Sequence, residues 1–271
     1  MAEHQGRGVA LVTGASAGIG AVYADRLAAR GYDLLLVARD EARLKALAAD
    51  IGARTGRAVE VLRSDLTDKA DLAAVEARLR ADPAITLLVN NAGVAGGGLL
   101  ETADADQMEA MIDLNVVALT RLSLAALPGF VARSSGTIIN VGSVVAFVPD
   151  VYPGIYGSTK AYVLYFTQSL HTEVSAKGVR VQAVLPGATA TEIWRTSGLS
   201  LDALPPEMVM TTENLVDAAL AGLDQGELVT IPPLPDGADW EAFEAARLVL
   251  APNLSRREPA ARYQAAARAA A

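Results

Sequence analysis

Three residues in one stretch of the 271-residue chain have the types and spacing to move a proton: Ser143, Tyr156 and Lys160. They lie where an apolar run gives way to a long pattern free of helix breakers. From Ser158 to Lys177 no proline or glycine interrupts, and Gly178 follows at once, as at a helix C-terminus. Tyr156 and Lys160 then share one helical face, a turn apart. An ammonium beside a phenol favours the phenolate. At roughly 4 Å and an effective dielectric of about 20 the attraction is on the order of 4 kcal/mol, enough to draw a tyrosine pKa of about 10 towards neutrality before desolvation subtracts its share. Such a pair suits proton exchange with an alcohol or a carbonyl near pH 7, with the Ser143 hydroxyl placed to hold the reacting oxygen. Alone the spacing is a weak signal. A chain with seven tyrosines matches Tyr-x-x-x-Lys by chance roughly once in ten, and an exposed pair stabilises its helix by only a few tenths of a kcal/mol.

The elements that must position these residues read as strands alternating with helices. Val9 to Thr13 is a short apolar run that enters Gly14-Ala-Ser16-Ala-Gly18-Ile19-Gly20, after which Ala21 to Arg30 has helical composition and Gly31 closes it. A helix that starts at a glycine turn offers free N–H groups and its positive dipole end, which suit a pyrophosphate. No lysine follows the glycines, so a P-loop is disfavoured, and Gly-x-x-x-Gly-x-Gly also departs from the Gly-x-Gly-x-x-Gly of many dinucleotide sites. Further strands are expected at Asp33 to Ala38, Ala58 to Arg63, Ile85 to Val89, Thr137 to Val141, Val179 to Leu185 and Leu228 to Ile231. The intervening helices predict right-handed crossovers and an α/β, doubly wound parallel sheet of about seven strands with helices on both faces. A long helix runs from about Asp104, with Gln107 as capping partner, towards Pro128 and Gly129, and carries Asn115. Residues 192–212 lose periodicity and read as a mobile flap over the site. The whole of 1–271 reads as a single domain, with 232–271 as a carboxyl-terminal extension whose Asp239 to Leu250 stretch is an amphipathic helix.

Composition narrows the chemistry. The chain is 52% hydrophobic and 20% charged, with a formal charge of -8, so nucleic-acid backbones and anionic membranes are repelled on average. With no cysteine and only His4 and His171 as histidines, thiolate or histidine metal sites and a Ser-His-Asp triad are disfavoured; no metal is expected. The first residues lack a signal-peptide core, and no run approaches the ~20 apolar residues of a membrane helix. A cytoplasmic protein is expected, with no membrane or nucleic-acid partner.

Taken together, Thr13-Gly14-x-x-x-Gly18-Ile19-Gly20, Asp65, Asn90-Asn91-Ala92-Gly93, Asn115, Ser143, Tyr156-x-x-x-Lys160 and Pro186-Gly187 resemble the short-chain dehydrogenase/reductase family, with its Rossmann fold, over roughly residues 7–231. The resemblance implies that Gly14, Ser16, Gly18, Ile19 and Gly20 form the pyrophosphate turn. Asp65 contacts the adenine, Asn91 with Ala92 and Gly93 lies beside a ribose, and Pro186, Gly187, Thr189 and Thr191 reach the carboxamide end. Thr189 stands where relatives more often have an aliphatic residue. In the catalytic set Ser143 holds the substrate oxygen, Tyr156 donates the proton, Lys160 also binds the nicotinamide ribose, and Asn115 anchors a water that relays protons. The implied function is a carbonyl–alcohol oxidoreductase that works by hydride transfer; the alternative is a nucleotide-binding regulatory or scaffold protein that has kept the fold. At the end of the second strand, where NAD-dependent relatives place an acidic residue, stands Ala38, and Arg39 follows, so NADP(H) is expected over NAD(H). Asp40 is expected to belong to the next helix and point away. A small or medium, neutral, largely apolar carbonyl or alcohol is the expected substrate, in a pocket of Val94, Val145, Phe147, Tyr152, Ile193 and Trp194. The resemblance further implies a homodimer or homotetramer built on the Asn115 and Tyr156 helices.

Overall fold

In the computed structural model, which describes residues 7–96, 100–150, 154–194 and 204–263, the chain divides into two compact units, 1–233 and 234–271. The first is built on seven parallel strands: β1 (Val9–Thr13), β2 (Asp33–Ala38), β3 (Val59–Arg63), β4 (Ile85–Asn90), β5 (Gly136–Val141), β6 (Val179–Val184) and β7 (Val229–Thr230). Their order in the sheet is β3-β2-β1-β4-β5-β6-β7. The helices that return the chain are α1 (Gly18–Ala29), α2 (Glu41–Thr55), α3 (Lys69–Ala81), α4 (Ala105–Ile112), α5 (Leu119–Ala132), α6 (Ile155–Val174) and α7 (Thr212–Gln225).

The central strands are apolar at successive positions, as in Ala10-Leu11-Val12 of β1 and Leu34 to Val37 of β2, because both faces are covered; β3, at the sheet edge, carries exposed Glu60 and Arg63 instead. Their two-residue period deals alternate side chains to two cores. Leu34 and Leu36 of β2 join Tyr23, Leu27, Leu44, Ile51, Val216 and Leu220 from α1, α2 and α7 on one face. Leu35 and Val37 join Val75, Leu79, Leu122, Phe130, Leu170 and Val174 from α3, α5 and α6 on the other. The strand order reverses between β1 and β4. In an open parallel sheet the crevice at the carboxyl ends beside such a reversal is where ligands sit, and the glycine turn after β1 and Asn90-Asn91-Ala92-Gly93 after β4 both fall there.

Helix starts follow their caps. Asp40 accepts from Arg43 N (3.0 Å) at the head of α2, and Asp68 accepts from Ala70 N and Asp71 N (both 2.9 Å) at the head of α3. Asp104 accepts from Gln107 N (3.0 Å) at the head of α4.

The long helix expected from Asp104 differs in two ways. Between α4 and α5 the chain widens into a π-helical stretch, Asp113–Ala118, which contains Asn115. It also does not stop at Pro128 but runs through it to Ala132. Buried Ala125, Ala126 and Phe130 bind that last turn into the core, and such packing outweighs the one backbone hydrogen bond that a proline removes. Residues Ala105–Ala132 are long and apolar enough, by length and composition, to cross a membrane, which corrects the expectation that no run approaches that length. The apolarity has a local cause, because Met111, Ala118, Leu119, Leu122, Ala125, Ala126 and Phe130 of this segment are all buried.

In the second unit α8 (Gly237–Val249) starts at the Asp236 cap, and Trp240 stacks on Phe243 with ring centroids 5.4 Å apart.

Candidate active site

Thr13, the last residue of β1, organises the crevice. Its buried hydroxyl donates to Val89 O (3.2 Å) and accepts from Asn91 N and Ala92 N (both 3.0 Å), while Asn91 Nδ2 donates back to Thr13 O (2.9 Å). The strand ends on either side of the reversal are thereby locked in register. Gly14 (φ +64°) and Gly18 (φ +54°) hold left-handed conformations that favour glycine. Gly20 is needed for a different reason: a Cβ there would lie 2.3 Å from Gly14 O. Ala17 leaves the N-terminus of α1 without a side-chain cap, and no acidic residue occupies its first turn. The result is an uncapped, positive helix end behind a backbone that an anion can approach closely.

A cleft of about 750 Å³ opens above these turns. Of the residues singled out from sequence, Gly14, Gly18, Ile19, Arg39, Asn91, Ala92 and Gly93 line it towards β2, and Ser143, Tyr156, Lys160, Pro186, Gly187, Thr189 and Thr191 line it towards β6. Four are not among the lining residues. Gly20 packs beneath the turn, and Ser16 lies outside the cleft wall. Asn115 is buried behind it. Asp65 accepts from Thr67 N (3.0 Å) and Thr67 Oγ1 (2.7 Å). Burial alone would raise the Asp65 carboxyl, but the Thr67 hydrogen bonds and the charges of Arg39 and Arg63 outweigh it and hold it below the usual carboxylate range. Arg39 is exposed at the cleft edge and makes no ion pair with a described carboxylate. Asp40 is turned into the α2 cap, so its charge is spent on Arg43 N.

At the other end, β5 delivers Ser143 to the head of a 3-10 turn, Val144–Phe147. Its Oγ donates to Pro186 O and accepts from Val145 N, both at 3.3 Å. Lys160, one turn after Tyr156 on α6, is 6% exposed. Its Nζ donates to Val141 O (3.0 Å) and lies 5.7 Å from the centre of the Tyr156 ring. Burial, with no described carboxylate in ion-pair contact, pushes the ammonium down to about 8.

Asn115 joins this end to the β4 loop. Oδ1 accepts from Val94 N (2.9 Å), and Nδ2 donates to Val94 O (2.9 Å) and Thr159 Oγ1 (3.1 Å); Thr159 in turn donates to Tyr156 O (2.7 Å). A methyl group at Gly93 would lie 3.1 Å from Asn115 Oδ1 and 3.7 Å from Lys160 Nζ, so glycine lets the three converge.

The expected substrate pocket is recovered in Val94, Val145, Ile193 and Trp194, which line the cleft, whereas Phe147 does not. Tyr152 lies outside the described residues. Sequence reasoning missed Gln107, Met108 and Met111 of α4, which also line it; methionines three apart on one helical face were the available signal. It also missed Thr13 and Thr159, whose hydroxyls carry the hydrogen bonds just described. The expected flap, 192–212, falls partly on residues 195–203, outside the described residues. Met210 near its far end pairs with the segment just before the flap: Ala190 N donates to Met210 O and Met210 N to Ala188 O, both at 2.9 Å. Trp194 Nε1 folds back onto Thr189 O at 2.7 Å.

The residues present fit a nicotinamide dinucleotide: a glycine cradle with an uncapped helix end, a guanidinium at the outer edge, and a buried lysine beside a tyrosine at the inner end. Among the described residues no cluster of metal-ligating side chains occurs.

Comparison with known proteins gives the family. The family model described as short chain dehydrogenase matches residues 8–200. A solved short-chain dehydrogenase from Sphingobium yanoikuyae in complex with NADPH is 52% identical, with a TM-score of 0.91 over 94% of this chain and 100% of that one. The bulky-bulky ketone specific alcohol dehydrogenase from Comamonas testosteroni is 43% identical, with a TM-score of 0.87 over 94% and 98%. A very-long-chain 3-oxoacyl-CoA reductase from Anas platyrhynchos is 34% identical over 205 residues, 73% of this chain, and the match spans 65% of that longer protein. With the glycine turn, the Asn91 loop and the Ser143, Tyr156 and Lys160 end in one cleft and the family model matched along most of the chain, the protein belongs to the short-chain dehydrogenase/reductase family of oxidoreductases.

Proposed function

We propose that the protein interconverts a ketone or aldehyde with its alcohol, using NADP(H) in preference to NAD(H), with Tyr156 as proton donor and acceptor. The observation that carries this reading is the cleft itself. Tyr156, Ser143 and Lys160 line one end, and the glycine cradle with Arg39 lines the other. A bound nicotinamide supplies or takes the hydride. The chain's own residues manage the oxygen: Ser143 Oγ donates a hydrogen bond to the carbonyl, and the Tyr156 hydroxyl gives its proton as negative charge develops there. The Lys160 ammonium, still charged below about pH 8, favours the tyrosinate that remains. Asn115 Oδ1 keeps one lone pair after accepting from Val94 N and, like Lys160 Nζ, faces Gly93, so it serves as the anchor for a water that returns the proton. A protein that merely binds a nucleotide has no use for Ser143 and Tyr156 at this position.

The substrate end is apolar. Val94, Met108, Met111, Val144, Val145, Ile193 and Trp194 line it, and the cations among the lining residues are Arg39 and Lys160 alone. This supports neutral ketones over coenzyme A esters, whose phosphates need further positive partners. A panel of neutral and esterified carbonyls followed by NADPH absorbance tests the reading. Turnover of neutral ketones is expected, and a clear preference for the charged esters overturns the substrate class.

A further inference from the structure

The cleft wall has a feature at α4 that the reaction itself does not require. Gly96, in the segment after β4, lies against the thioether ends of two methionines of α4. A Cβ added to residue 96 would meet Met111 Cε at 2.7 Å and Met108 Cε at 4.0 Å. Gly96 is not at positive φ, so its backbone does not demand glycine. What demands it is the space taken by the methionines. All three residues line the cleft. Met111 is 3% exposed and anchored in the wall, while Met108 is half-buried. Methionine has three rotatable bonds and no branch, so its end moves aside or settles against whatever it meets. No charged side chain of α4 lines this wall, and Gln107 is the one polar α4 residue that does.

We propose that Gly96 is a specificity-determining residue: by leaving room for the ends of Met111 and Met108, it keeps open a deformable apolar subsite that takes the larger substituent of a bulky ketone. The inference rests on the carbonyl-reductase reading and adds to it the size of the substrate and the residue that sets it. A methyl group at position 96 pushes the Met111 end towards the subsite without straining the backbone. It therefore penalises large ketones and leaves small ones and cofactor binding unaffected.

The test is a cycle of Gly96→Ala, Met111→Leu and the double variant, using two aryl ketones that share one phenyl group and carry either a methyl or a second phenyl on the other side. Turnover is followed with NADPH, and binding of both ketones to the NADP-loaded protein is followed by tryptophan fluorescence. Gly96→Ala is expected to lower kcat/KM for the diphenyl ketone about tenfold and to weaken its binding in parallel, the scale of one methylene in an apolar pocket. The methyl ketone should change by less than about threefold, and NADPH affinity by less than about twofold, as for sites that do not touch. Met111→Leu withdraws the terminal methyl at nearly constant volume, so in the double variant it should restore the diphenyl ketone. A purely structural effect of Gly96→Ala would not be rescued in this way. Equal losses for both ketones, or no loss for either, overturn the inference. If the wild-type protein binds the diphenyl ketone but does not turn it over, the carbonyl-reductase reading fails, and the binding cycle still decides the role of Gly96.

Discussion

Lys160 carries the clearest physical signature of any single residue. Its folded pKa of about 8 lies below the ordinary lysine value because burial disfavours the charged form. At pH 7 the ammonium is charged in both states, and the folded state bears the desolvation cost. Between about pH 8 and 10.5 the unfolded chain holds the extra proton, so stability rises with pH over that window. The shift corresponds to about 3 kcal/mol. Urea melts of cofactor-free wild type and Lys160→Met from pH 7 to 10.5 should therefore show their difference moving by about that amount in favour of the wild type; a pH-independent difference contradicts the buried ammonium. Arg39 makes the second prediction at this scale. It stands exposed at the cleft edge with no described carboxylate paired to it, and its neighbour Asp40 is held in a helix cap. NADPH should bind roughly ten- to a hundred-fold tighter than NADH, as for one charge-assisted phosphate contact. Equal affinities by fluorescence titration rule out that reading. Sequence spacing put Arg39 just past β2 and Lys160 one turn after Tyr156 in α6, and both line the cleft. Thr13 and Thr159 were not legible in this way, since a threonine hydroxyl announces nothing until its partners are fixed in space.

The elements show where sequence reasoning succeeds and where it stops. Strands such as β2 and β6 were legible to within a residue, because a parallel strand covered on both faces is mostly apolar and its turn residues are distinctive. The π-helical stretch Asp113–Ala118 was not. Its composition is that of any helix, and the widening is fixed by tertiary partners, with Asn115 bonded to Val94 on one side and Thr159 on the other. Single π turns are frequent at functional sites. Asn115→Leu should leave Val94 N and O without partners and cost about 1–3 kcal/mol in a denaturant melt. A loss below a few tenths of a kcal/mol would show that these bonds are exchanged freely for water. The turn before α1 tests a second element. Gly20→Ala sets a methyl against a backbone oxygen that cannot swing away, and should lower stability by about 1–3 kcal/mol while weakening cofactor binding. Retention of both would mean that the turn is looser than its geometry indicates.

At the scale of the whole molecule, α4 to α6 leave Ile112, Val117, Leu124, Tyr162 and Tyr165 exposed, the last at 73%. Tyr162 stacks on Phe166 and bonds Thr120 across the two helices, so the patch is ordered. We propose that a second copy covers it. Sedimentation at micromolar concentration should then find a dimer or larger species, and a monomer contradicts the proposal. On the proposed function, activity too belongs to the whole molecule, since Tyr156 would act with Lys160 and Thr159 on α6, Asn115 before α5, Ser143 after β5 and the cradle after β1. The direct test of that assembly is Tyr156→Phe, which removes one hydroxyl and little else. Turnover of a neutral ketone with NADPH should fall by at least the ~100-fold typical of a lost general acid, while NADPH affinity stays within about threefold. Turnover close to that of the wild type would contradict Tyr156 as the proton donor.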